Sequence, residues 1–135
     1  MAYDESDVNK ILQRIVYAVS RGRYKVAVNK NRQKNSDFIK TYKIESMEIE
    51  RILMNLTVND FVSTGQNVKV GYEHEQLHVF GPKLNQIRPT ENLAKDIVVY
   101  IKVNIIEKNI NDYVIVVSFH EAEHEMDYPF QNARN

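Results

Sequence analysis

Cysteine is absent from the 135 residues. That removes disulfide staples, thiolate zinc centres and cysteine nucleophiles together. No apolar run approaches the ~20 residues that a membrane span needs. The N-terminal stretch MAYDESDVNK lacks the basic and apolar regions of a signal peptide, so export by that route is not expected. These absences predict a cytoplasmic protein with no membrane partner. Net charge is missing too, since 18 Lys and Arg balance 18 Asp and Glu. The balance hides an asymmetry. Residues 1–43 carry ten basic and four acidic side chains, a net of +6, and residues 44–135 carry −6. A basic first third can meet phosphates or an acidic partner, and it equally suits a solvated face.

What is present is ordinary for a globular chain: 43% hydrophobic and 27% charged residues. The length suits one domain, taken as residues 1–130, with 131–135 as a disordered tail. Val8, Ile11, Leu12, Ile15, Val16 and Val19 follow helical spacing and predict a helix from Ser6 to Arg21, capped by Ser6 and stopped by Gly22. A short strand is expected over Tyr24–Val28, followed by a polar, basic loop, NKNRQKN. Two more helices are expected, capped by Ser36 and Ser46. Thr57 and Asp60 have capping-box spacing. Residues 63–75 and the stretch KLNQIRPTENLAK read as loops, with a strand between them in EQLHVFGP. DIVVYIKVNII and YVIVVSFH alternate as strands and are joined by a short turn-rich linker, which predicts an antiparallel hairpin. The fold class is α+β, with N-terminal helices on one face of a small antiparallel sheet.

Near the C-terminus, HEAEH (His120–His124) satisfies the H-E-x-x-H zinc-peptidase pattern. That pattern works on a helix, where residues i and i+4 share a side and reach one ion. On a strand the same spacing separates the two rings by ~13 Å. His120 directly follows a β-branched strand, and Pro129 lies five residues beyond His124. The match therefore reads as coincidence, with no metal and no cofactor expected. His124 and His78 are taken as surface residues.

The order LMNLTVNDF, LHVFG, VVYIKVNII and YVIVVSFHEAEHEMDYPF resembles the MqsR (motility quorum-sensing regulator) family of toxins, in the branch ending FHEAE and YP. The resemblance runs from about Asp7 to Tyr128. It implies a fold related to the RelE-type ribonucleases. It also implies a metal-independent endoribonuclease that cuts messenger RNA, free or on the ribosome, and a cognate antitoxin that neutralises it. Tyr100 and Lys102 match the family's Tyr and Lys in its VYLK motif. His120 stands where the best-known members carry a catalytic Lys after VSF. A further family Lys corresponds to Ser63 and a Gln to Val79, with His78 at a Trp position.

Cleavage of this kind needs a base, an acid for the leaving 5′-oxygen, and a cation near the phosphate. A histidine side chain titrates near ~6.5, so His120 suits either proton role. Tyr100 can donate a hydrogen bond, Lys102 can stabilise charge, and Glu123 or Glu121 can orient His120. Arg21, Arg23 and Lys25 form the basic cluster expected to contact RNA phosphates. Each has an ordinary reading as well: Tyr100 and Lys102 as sheet-surface residues, and Glu121, Glu123 and Glu125 as a solvated acidic run. The competing function is a non-catalytic protein- or nucleic-acid-binding member of the same fold, borne by a phage or mobile element. A zinc hydrolase is the third.

Overall fold

Each element is set by the apolar face it can bury. The computed structural model describes residues 3–88, 93–108 and 111–131. The first helix, α1, spans Glu5–Ser20 and buries Val8, Ile11, Leu12, Ile15, Ala18 and Val19. Val16, counted in the expected stripe, stays 39% exposed. The cap is Asp4 rather than Ser6. Asp4 Oδ1 accepts from the Asp7 amide at 2.8 Å, and Asp7 Oδ2 accepts from the Asp4 amide at 3.0 Å. This reciprocal pair satisfies amides that a serine two residues later would leave open. Gly22 ends the helix at φ 72°, a conformation that favours glycine.

Strand β1 (Tyr24–Val26) leads through a 3-10 turn at Lys30–Arg32 into α2 (Gln33–Tyr42). That helix begins three residues before Ser36. In α3 (Ser46–Met54) the cap position is Glu45, so Ser46 is the first helical residue. Thr57 and Asp60 do form their capping box, around a 3-10 turn at Val58–Asp60.

The remaining strands are β2 (Phe61–Gln66), β3 (Gln76–Phe80), β4 (Lys83–Arg88), β5 (Leu93–Lys108) and β6 (Asn111–Glu121). The main path is β1-β6-β5-β3-β2, and β4 pairs with the first part of β5. The fold is α+β. Its sheet is mixed rather than wholly antiparallel, because β1 runs parallel to β6. No hairpin joins those two strands, so no turn imposes the antiparallel sense. Strands β3 and β4 both lie antiparallel to β5, and the Pro82 carbonyl between them accepts from the Val99 amide at 3.0 Å.

Two expected loops are therefore partly strand. Residues 61–66 pair with β3, and Lys83–Arg88 pairs with Leu93–Val98. Both stretches are poor in alternating apolar residues. They are extended because a strongly β-forming neighbour supplies the ladder.

One face of the sheet carries the core: Phe61, Phe80, Val99, Ile101, Val103, Val114, Val116 and Phe119, packed against α1, α2 and α3. Phe38 of α2 meets Phe119 edge-on at 5.7 Å. Arg14 of α1 grips Asp112 at the start of β6 with two 2.8 Å bonds. The guanidinium holds the Asp112 carboxyl below the usual carboxylate range. After β6 the chain turns back. The Tyr128 hydroxyl donates to the Gly81 carbonyl at 2.7 Å, and Phe130 lies 6.0 Å from the Phe61 ring. This C-terminal aromatic pair packs back on the fold. Of the expected tail, Gln131 closes a turn on Tyr128; residues 132–135 lie outside those described.

Candidate active site on the open face of the sheet

A strand alternates faces, so one extra residue reverses everything after it. This happens at Val117. Lys102 pairs with Ser118 while Val103 pairs with Val116, which leaves Val117 as a bulge. Unbroken alternation would group His120 with Val114 and Val116, which are both fully buried. The bulge puts Phe119 in the core instead. Ser118 and His120 turn to the opposite face, beside Lys102 and Tyr100.

Across that face Tyr100 pairs with His120, and Lys102 pairs with Ser118. The Tyr100 and His120 rings stack with centroids 5.4 Å apart and planes 23° from parallel. Lys102 Nζ lies 5.7 Å from the Tyr100 ring centroid. His120 Nδ1 is 3.0 Å from the Glu121 carbonyl oxygen. A carbonyl only accepts, so Nδ1 carries the hydrogen; in the neutral ring this leaves Nε2 with a free lone pair.

The bulge is held from outside the sheet. Asn35 of α2 is 1% exposed. Its Nδ2 donates to the Val117 carbonyl at 3.0 Å and to the Ala27 carbonyl at 2.7 Å, and its Oδ1 accepts from the Phe119 amide at 2.8 Å. Strand β1 has already ended, so one side chain takes over the backbone pairing that β1 would supply.

Glu123 stands apart from the stacked pair. It is bound to Lys34 Nζ at 2.7 Å, and that ammonium holds its carboxyl below the usual range. The expected phosphate cluster divides. Arg21 lies over the Tyr17 ring, 3.6 Å from its centroid. Arg23 is half-buried, with Nη1 buried and unpaired among the described residues. Lys25 shares the open face with Ile115, its ladder partner. It lies about 13 Å from the His120 row at the strand rise.

Other cations come closer. A cleft of about 370 Å³ is lined by Lys30, Arg32 and Lys34 together with Ser118 and His120. The sequence marks that stretch as a basic loop. Its seat beside His120 depends on α2 packing against β6, which no local pattern reveals.

His78 is not a surface residue. It is 5% exposed and shares the core side of β3 with Phe80. Thr64 Oγ1 lies 2.8 Å from its Nδ1. Burial, with Arg14 adding to it, pushes its pKa down to about 4. The sign follows directly. An unfolded histidine titrates near ~6.5, so below that pH the unfolded chain binds a proton that the folded chain refuses. Stability should fall from about pH 6.5 and level off below about pH 4, a loss of roughly 3 kcal/mol from this group. Urea unfolding of wild type and His78→Leu between pH 7 and 4 checks this. The variant should show the flatter profile.

The HEAEH segment leaves β6 at Glu121, and His124 lies on an exposed bend outside any helix. The helical seat that the zinc pattern requires is not formed. Among the described residues, no group of three or more His, Cys, Asp or Glu could hold a metal ion. No described helix is long and apolar enough to cross a membrane. No family model, curated protein or solved structure matches the chain.

Proposed function

We propose that the chain is an endoribonuclease that cuts messenger RNA without a metal, as the toxin of a toxin–antitoxin pair on a RelE-related fold. The observation that carries this reading is the cross-strand pair Tyr100–His120, with Lys102 beside it on a solvent-facing sheet. The free Nε2 of His120 suits removal of the 2′-hydroxyl proton. The 2′-oxygen then bonds to phosphorus, and the bond from phosphorus to the 5′-oxygen breaks. Lys102 stabilises the charge that builds on the phosphate, and Tyr100 hydrogen-bonds the phosphate or gives its proton to the leaving 5′-oxygen, which otherwise takes one from water. The products are a 2′,3′-cyclic phosphate and a 5′-hydroxyl.

The positions that the resemblance assigns also favour this surface. Ser63 pairs with Val79 and Val79 with Lys102, so three of them form one row across the sheet. The same row supports a second reading, binding without cleavage, because Ser63 and Val79 bring neither cation nor amide.

The test is incubation of purified protein with messenger RNA in excess EDTA. Cleavage should persist, leave cyclic phosphate ends, and stop when the substrate is 2′-deoxy at the cut site. Cleavage lost in EDTA would sink the metal-free mechanism. Binding without cutting would select the second reading. Expression should arrest growth, and co-expression of a neighbouring small DNA-binding protein should relieve it if that protein is the antitoxin.

A further inference from the structure

We propose that the cleft between residues 30–34, the 3-10 turn and the start of α2, and the end of β6 is a phosphate subsite, holding the backbone of single-stranded RNA next to the bond being cut. The proposal rests on the ribonuclease reading of the His120 row and adds a direction to it: the strand leaves the stacked pair toward α2. Lys30, Arg32 and Lys34 are all exposed, yet all three line one cleft with Ser118 and His120. Its volume of about 370 Å³ suits a nucleotide rather than a folded protein surface. Cations lining one cleft neutralise backbone phosphates, which position a strand without reading its sequence.

Glu123 adds a control. Its carboxylate occupies Lys34 at 2.7 Å, with both side chains more than half exposed. A phosphate entering the cleft competes with that carboxylate for the same ammonium. Glu123 thus acts on RNA through Lys34, as a competitor rather than as a catalytic residue.

The experiment measures binding of a fluorescent 2′-O-methyl RNA hexamer, which cannot be cut through its 2′-oxygen, over a range of salt concentrations. The proteins are wild type, a triple variant (Lys30→Gln, Arg32→Gln, Lys34→Gln) and Glu123→Gln. The triple variant should bind at least tenfold more weakly, and its salt slope should fall by about 2, near ~0.7 per lost phosphate contact. Glu123→Gln should bind a few-fold more tightly, because Lys34 is released. Equal affinity and slope in wild type and triple variant would overturn the proposal, as would no binding by wild type. Unchanged binding by Glu123→Gln would overturn the competition. If polyglutamate, but not the hexamer, depends on the three cations, the cleft takes an acidic protein and the RNA assignment fails. Failure of the ribonuclease reading looks different. Wild type would bind the hexamer with the full salt slope but leave unmethylated RNA of the same sequence whole, and the subsite would stand.

Discussion

A His120→Ala variant should keep its fold and lose at least ~100-fold in the rate of RNA cleavage, the lower end of what a positioned proton-transfer group contributes. His120 lies outside the apolar core, half-buried on the open face. Removing its ring exposes one face of Tyr100 and leaves the buried packing untouched. Thermal melting should therefore change little. The loss should appear in the rate at saturating RNA rather than in KM, since the cleft cations still hold the strand. Lys102→Ala should also cut more slowly, and Tyr100→Phe less severely so. A His120→Ala protein that cleaves as fast as wild type would remove this residue from the chemistry.

Inserting an alanine between Val117 and Ser118 should cost more, because it changes which way the end of β6 faces. With a one-residue bulge kept at Val117, the added residue takes the place opposite Lys102, and Ser118, Phe119 and His120 each rotate to the other side of the sheet. Phe119, fully buried against Phe38, would face solvent, and an imidazole would enter the core. Loss of a buried phenylalanine alone costs about 3–5 kcal/mol. The Val117 carbonyl and Phe119 amide would no longer sit where Asn35 bonds them. The expected result is a protein that is unfolded or nearly so, and without cleavage. Val117→Ala keeps the residue count and the bulge, and should stay close to wild type in both. Urea denaturation of the two variants, with cleavage assays on whatever folds, makes the comparison. An insertion variant of normal stability and activity would show that the residue count at the bulge does not position His120.

These two expectations also mark how far the sequence is readable. Alternation in DIVVYIKVNII and YVIVVSFH announces both strands, and the short linker announces their hairpin. Alternation cannot announce the bulge, since VVSFH remains a plausible strand at either phase. His78 escapes notice for a related reason. Its burial follows from the pairing of β3 with β2 and β5, and histidine hydropathy carries no sign of it. Asp4 displaces Ser6 as the cap because Asp7 completes the reciprocal bond. The strand in 83–88 is polar, and only its partner keeps it extended. Tyr100, Lys102 and His120 are singled out by the family resemblance; strand spacing puts Tyr100 and Lys102 on one face, but the register that sets His120 beside them comes from the pairing and its bulge. Lys30, Arg32 and Lys34 were legible as charge but not as neighbours of His120.

The sheet order also has a bearing on synthesis. Strand β6 is the last strand described, yet it lies between β1 and β5. A ribosome delivers α1, β1 and α2 long before the strand they pack against. Until residue 121 has emerged, Asn35 has no bulge to hold, and the core lacks Val114, Val116 and Phe119. His120 arrives in the same final stretch. A nascent chain therefore carries no assembled site, and under the proposed function this postpones cleavage until the described fold has left the ribosome that made it.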